Sequence, residues 1–199
     1  MRKKIAITGG IGSGKSLLLD FARELGYKAF SCDEIYKELL EKEFYIQAIQ
    51  RQFPIAVENG KINKTKLSEI VFNDKEKLKQ LNEIAHPFIL QELEKRMNEV
   101  LKKTSLVFAE VPVLFENGYE KYFDEILVVL RDKNERIESL KKRDFSSVEE
   151  IKNRMDSQFD YEHNLPDIKG EKVHFLYNNN KKEDLKIEFI KMLDVFQHS

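Results

Sequence analysis

The sequence predicts an α/β fold, a parallel β-sheet flanked by helices, and three observations carry that expectation. The first is Gly9-Gly10-Ile11-Gly12-Ser13-Gly14-Lys15-Ser16, which fits the pattern G-x-x-x-x-G-K-[ST]. It stands between a β-branched run (Ile5, Ile7) and a helical segment at 16–25, which Gly26 ends in the manner of a left-handed C-terminal residue. The second is a pair of nearly continuous apolar runs, 105–111 and 125–130, of the kind that forms strands buried on both faces. The third is the alternation of such runs with helical patterning, which builds parallel sheets. With the motif between strand and helix, the sheet is expected to be of the P-loop NTPase type.

The loop implies chemistry directly. Its glycines let the backbone curl so that successive N–H groups form an anion-binding nest, and the helix adds its positive end at the same place. Gly10, Ile11, Gly12, Ser13, Gly14, Lys15, Ser16 and Leu17 are therefore the expected nucleotide-phosphate contacts. Lys15 would reach the β- and γ-phosphates and the Ser16 hydroxyl would ligate Mg²⁺.

Further along, residues 27–31 read as a second strand, ending at Cys32-Asp33. Ligands of open parallel sheets gather beyond the carboxyl ends of the strands, so Asp33 stands where it could serve a bound substrate. It could equally be the N-cap of a helix over 34–40. From there to 103 the pattern is almost wholly helical. Pro54 interrupts it, Asn59-Gly60 marks a turn, and Asn63 and Asp74 stand at cap positions. His86-Pro87 reads as a helix boundary, since the residue before proline avoids helical geometry. So long a helical block between strands exceeds what one crossover needs and predicts an insertion on the substrate side. After 125–130, a helix is expected over 134–143, and Ser147-Val148-Glu149-Glu150 is a capping box opening another that reaches about 159. These polar, lysine-rich helices suit a cover rather than a core. A last strand at 172–177 and an amphipathic helix at 183–196 close the chain. The expected organisation is a nucleotide-binding core (1–33, 104–133, 170–199), a helical acceptor-substrate region (34–103) and a lid (134–169).

Composition narrows the classes. The 199 residues carry a net charge of −1, so the basic excess of a nucleic-acid binder is missing. A single cysteine, Cys32, leaves no internal disulfide framework and makes the cytoplasm the expected compartment. Arg2-Lys3-Lys4 opens no signal sequence, because Thr8-Gly9-Gly10 breaks the apolar run behind it, and no run reaches membrane-spanning length. A soluble monomer or weak homo-oligomer without nucleic-acid or membrane partners is expected.

Several landmarks in order resemble the dephospho-coenzyme A kinase family. They are the phosphate loop, Asp33, Leu81-Asn82-Glu83-Ile84-Ala85-His86-Pro87, Pro112-Val113-Leu114-Phe115-Glu116, Arg143-Asp144 and Gln158. The resemblance covers most of the chain, from Ile5 to Asn178. It implies transfer of the γ-phosphate of ATP, with Mg²⁺, to the ribose 3′-hydroxyl of dephospho-coenzyme A. It further implies Asp33 as the base that takes the hydroxyl proton, with His86, Pro112, Leu114, Phe115 and Glu116 on the acceptor side. Arg143 would reach the phosphates from the lid and Asn178 would approach the adenine. The chain departs from the family pattern at Leu17 in place of threonine, Glu110 in place of a frequent aspartate, and Ser139 in place of an arginine. The stretch 164–170 also departs from it, and Arg136 or Arg154 could supply the missing charge.

Two other nucleotide-dependent classes fit the residues less well. Nucleoside monophosphate kinases surround an acceptor phosphate with several arginines, whereas the insertion offers only Arg51 and Arg96. A GTP-dependent switch needs Asn-Lys-x-Asp, and Asn63-Lys64-Thr65-Lys66 lacks the aspartate.

Overall fold

The computed structural model describes residues 1–72, 74–144 (144 by its backbone alone), 147–156, 158–161, 163–164, 170–179 and 181–198. The departure expected at 164–170 lies mostly outside them. Five strands form one parallel sheet: β1 (Lys3–Thr8), β2 (Lys28–Ser31), β5 (Leu106–Glu110), β6 (Glu125–Leu130) and β7 (Val173–Tyr177). The spatial order is β2-β5-β1-β6-β7. β1 is central, with Ile5 opposite both Phe108 and Glu125. The chain leaves β1 toward one edge and later crosses to the other, so the loop after β1 lies at a topological switch point, where such sheets bind ligands.

Burial explains the composition of the strands. Every residue of β5 and β6 is buried, as their apolar runs require. Ile5, Ile7, Phe108, Leu127 and Val129 pack on one face against Leu18, Phe21 and Ala22 of α1 (Lys15–Glu24). Phe189, Leu193 and Phe196 of the closing helix join the same cluster. The chain divides into two compact units, one of Met1–Ser31 with Met97–Ser199, the other Cys32–Arg96.

The second unit is helical: α2 (Cys32–Leu39), α3 (Glu43–Gln52), α4 (Lys64–Phe72) and most of α5 (Lys75–Leu101), with a hairpin of β3 (Val57–Glu58) and β4 (Lys61–Ile62). Both hairpin turn residues have positive φ, Asn59 at 51° and Gly60 at 72°, as a tight two-residue turn demands. The predicted caps form: Asn63 Oδ1 accepts the Lys66 N–H at 3.1 Å, and Asp74 Oδ1 accepts that of Lys77 at 3.1 Å.

Two expectations need correction here. His86-Pro87 is no helix boundary, because α5 runs through it. Pro87 removes one backbone bond, but Leu81, Ala85 and Leu93 are buried on either side of it, and that packing carries the helix past. Nor is Asp33 an N-cap. The helix already begins at Cys32, which puts Asp33 in its first turn, where a carboxylate suits the positive helix end.

In the first unit, α6 (Lys133–Asp144), α7 (Val148–Asp156) and α8 (Lys182–His198) complete the fold. The capping box forms as predicted: Glu150 Oε2 accepts the Ser147 N–H at 2.8 Å, and Ser147 Oγ accepts the Glu150 N–H at 3.2 Å. α7 ends at Asp156, short of the expected 159. Among the described residues, no helix is long and apolar enough to cross a membrane.

Candidate active site

The loop between β1 and α1 has the curled backbone its glycines allow. Gly9, Gly12 and Gly14 have φ of 143°, 77° and 106°. A methyl group added to Gly9 would stand 2.3 Å from the Val129 carbonyl oxygen, so the position tolerates no side chain. Lys15, 9% exposed, folds back over the loop and donates from Nζ to the carbonyls of Gly9 (2.8 Å) and Gly10 (3.2 Å). The Ser13 hydroxyl is buried and makes no hydrogen bond among the described residues. A lysine held across the loop and an orphaned hydroxyl inside it suit a polyphosphate anion.

Ser16, at the start of α1, donates from Oγ to Glu110 Oε1 at 3.0 Å. Glu110 is the last residue of β5 and is 7% exposed. The hydroxyl thus spends its proton on a buried carboxylate and keeps its lone pairs for a cation. Among the described residues no group of three or more His, Cys, Asp or Glu could hold a metal. This donor set fits a hard ion carried on phosphates, such as Mg²⁺, better than a metal caged by protein. Ser31, which ends β2, stands in register with Glu110, and Asp33 follows two residues later, exposed to solvent.

Helix α6 and the residues after α7 reach the same loop. Arg136 Nε donates to the Ile11 carbonyl at 2.8 Å, and its guanidinium lies so close over Gly10 that an added methyl would meet Nη2 at 2.4 Å. Gln158 Oε1 accepts the Ile11 N–H at 2.7 Å. The Ile11 side chain packs against Ile137, Leu140, Ile151 and Met155. Arg136, Leu140 and Arg143 share one face of α6 by their i, i+4, i+7 spacing. Arg143 itself is exposed in the last turn of that helix. A cavity of about 250 Å³ opens beside the loop, lined among others by Gly10, Ser13, Arg131, Arg136 and Gln158.

Other expected site residues fall as follows. Asn178, 6% exposed, donates from Nδ2 to the Ser13 carbonyl at 2.8 Å and so braces the loop from behind. Leu17 is partly buried and packs against the sheet core. Leu114 is fully buried and anchors the turn after β5, while Pro112 and Phe115 are half-buried and Glu116 is exposed. Glu116 Oε1 accepts the Phe159 N–H at 3.2 Å. His86 is half-buried inside α5, so it caps no helix. In the second unit Arg96 is engaged by Glu38 and Glu92, the latter at 2.8 Å.

Tyr161 was missed by sequence reasoning, and so were the loop contacts of Gln158. Tyr161 Oη shares a 2.9 Å hydrogen bond with Thr8 Oγ1 at the end of β1. Burial, seconded by the Glu116 carboxylate, pushes its phenol well above the ordinary value, so it stays protonated. No local motif marks Tyr161, and Gln158 stood out only as a landmark of the family resemblance; the spacing of Arg136 one turn before Ser139 hinted at the arginine over the loop.

A parallel sheet with an anion-binding loop on its central strand, a serine hydroxyl on a buried acid and the Arg136 and Gln158 side chains on the loop tip define a P-loop nucleotide-dependent kinase. The family model for dephospho-CoA kinase matches residues 3–181. A dephospho-CoA kinase of Fusobacterium nucleatum subsp. nucleatum is 38% identical over 184 residues, covering 91% of this chain and 92% of its own. The crystal structure of TT1252 from Thermus thermophilus superposes with a TM-score of 0.81 at 30% identity, covering 98% of this chain and 97% of the other. A dephospho-CoA kinase from Campylobacter jejuni gives 0.65 at 27% identity with the same coverage. The chain belongs to the dephospho-CoA kinase family, whose reaction is the ATP-dependent phosphorylation of dephospho-CoA.

Proposed function

We propose that this chain transfers the γ-phosphoryl group of Mg²⁺-ATP to the ribose 3′-hydroxyl of dephospho-CoA, with Asp33 as the base. The hydroxyl oxygen forms its bond to the γ-phosphorus as the bond to ADP breaks, and the proton passes to the Asp33 carboxylate. Lys15 and the amides of residues 10 and 12–17 neutralise the phosphates, with Ile11 at the loop tip and its own amide held by Gln158. Ser16, oriented by Glu110, would hold a Mg²⁺ ion carried on the nucleotide, and that ion would add positive charge at the phosphates. Such transfer asks the protein mainly for in-line positioning and charge neutralisation, and these groups supply both. Arg143 joins the phosphates when the lid is closed, from the face of α6 that also carries Arg136. Asn178 approaches the adenine while its amide holds the phosphate loop at the Ser13 carbonyl. His86 and residues 112, 114, 115 and 116 serve the acceptor. The enzyme acts in the cytoplasm as a monomer or weak homo-oligomer.

The observation that carries this reading is the Ser16–Glu110 contact beside the loop lysine, since a metal-poised hydroxyl has no use in a loop that binds nothing. The engagement of Arg96 by two carboxylates favours a hydroxyl acceptor over a phosphate one. The test is ADP release from Mg-ATP with dephospho-CoA beside a panel of nucleoside monophosphates. Dephospho-CoA alone should support turnover, and Asp33→Asn should lower it by about a hundred- to ten-thousandfold. Turnover with a monophosphate instead, or a near-normal Asp33→Asn enzyme, would refute the assignment.

A further inference from the structure

Residues 158–161 touch three parts of the first unit within four positions. Gln158 holds the Ile11 N–H at the tip of the phosphate loop (2.7 Å). The Phe159 N–H is held by Glu116 (3.2 Å), in the segment 112–116. Tyr161 Oη is tied to Thr8, the last residue of β1 (2.9 Å). Rings fix the middle: Phe159 lies 5.0 Å from Tyr161 and 5.8 Å from Phe115 between centroids, and Phe115 lies 6.2 Å from Tyr161. These are independent kinds of contact, two backbone amides, one buried hydroxyl pair and an aromatic cluster, and all join the same four residues.

The chemistry of the first contact matters most. A loop that binds phosphate does so with its amides, and here one amide at its tip is taken by a neutral side-chain oxygen. The Ile11 carbonyl is taken as well, by Arg136 (2.8 Å), and the Ile11 side chain is packed into the lid helices. Both polar groups of Ile11 and its side chain are therefore committed to lid residues. Any movement of the loop tip toward a phosphate must move Gln158, and Gln158 is covalently next to the amide that Glu116 holds.

We propose that residues 158–161 form a strap coupling the phosphate loop to segment 112–116, with Gln158 as its positioning residue, so that nucleotide and acceptor bind cooperatively. This rests on the assignment of segment 112–116 to the acceptor side. Gln158 acts through Ile11, and Tyr161 anchors the far end on β1. Coupling between sites of this kind is typically at least about fivefold in affinity.

The experiment is calorimetric titration of dephospho-CoA into the protein, with and without a saturating magnesium complex of a non-hydrolysable ATP analogue. It is accompanied by amide hydrogen exchange over residues 112–118. Wild type should bind dephospho-CoA at least about fivefold more tightly with the analogue present. Gln158→Met keeps length and bulk but offers no acceptor oxygen, and Tyr161→Phe keeps the ring but loses the bond to Thr8. Both should bring that ratio toward one, and Gln158→Met should speed exchange across 112–118 while leaving acceptor affinity without nucleotide at the wild-type level. The strap is overturned if wild type shows no ratio, if both variants keep it, or if exchange at 112–118 is unmoved. It is equally overturned if Gln158→Met tightens nucleotide binding, which would mark Gln158 as a stand-in for a phosphate oxygen. Failure of wild type to bind dephospho-CoA would instead refute the acceptor assignment, and the exchange data would then decide the strap alone.

Discussion

Glu110 offers the sharpest perturbation of the site. Its carboxylate is buried and accepts the Ser16 hydroxyl at 3.0 Å, so the proton of Ser16 is fixed and its lone pairs are directed elsewhere. Glu110→Gln preserves shape and can still present an acceptor, but it removes the charge and can equally turn its amide N–H toward Ser16. A hydrogen bond to a charged group contributes about 1.5–3 kcal/mol, roughly twice a neutral one. Losing the difference, about 1 kcal/mol, weakens apparent metal affinity about fivefold, and Glu110→Ala, which removes the whole interaction, by about 10–100-fold. The assay is initial rate against free Mg²⁺ at fixed ATP and dephospho-CoA. The Mg²⁺ needed for half-maximal rate should rise in the order wild type, Gln, Ala, while the rate at saturating Mg²⁺ falls much less. If both variants lose rate at saturating metal with an unchanged Mg²⁺ midpoint, Glu110 is not aiming Ser16 at a cation and the reasoning fails.

Two further predictions concern stability. Gly9→Ala forces a methyl group to 2.3 Å from the Val129 carbonyl at a φ of 143°. It should cost at least about 2 kcal/mol, or about 4–8 °C in Tm. Gly10→Ala meets only the end of the flexible Arg136 side chain and should keep its Tm; equal melting of the two variants would refute the loop geometry. Arg96 holds the Glu38 carboxyl below its ordinary value of 4.5, so this ion pair stabilises the protein above that pH and is lost as the pH falls through the lowered value. With Glu38 half exposed the contribution is about 0.2–1 kcal/mol. Urea titrations should therefore show Glu38→Gln less stable than wild type at pH 7 and equal to it well below pH 4.5; a gap that widens in acid would overturn the sign.

Much of the fold was legible because its determinants are local. The phosphate loop, the apolar runs of β5 and β6, the caps at Asn63 and Asp74 and the capping box at Ser147 each depend on residues within a few positions. The structure gives each its expected form. The failure at Pro87 is instructive for the same reason. The local rule against helix at His86 is real, but α5 is held by buried residues on both sides of the proline, and that packing outweighs one missing hydrogen bond. The site was legible only in part. A motif announces a loop and its lysine, but it does not announce that Gln158, nearly 150 residues away, will hold the Ile11 amide, or that Tyr161 will meet Thr8.

The departures from the family pattern show why single positions mislead. Ser139 stands where an arginine is usual, yet its hydroxyl receives Arg131 Nη1 at 2.8 Å, and Arg136, one turn earlier, brings a guanidinium over Gly10. Glu110 stands where aspartate is frequent, and it still reaches the Ser16 hydroxyl. In the first case the charge comes from a different position and in the second from a longer side chain at the same one, yet in both a charge of the same sign still arrives at the loop. What a phosphate-transfer site constrains is the field at the phosphates and the metal, and a helix can deliver a cation to one point from more than one of its turns. Reading such a site from sequence therefore requires asking which side chains can reach the loop rather than which stand in the customary place.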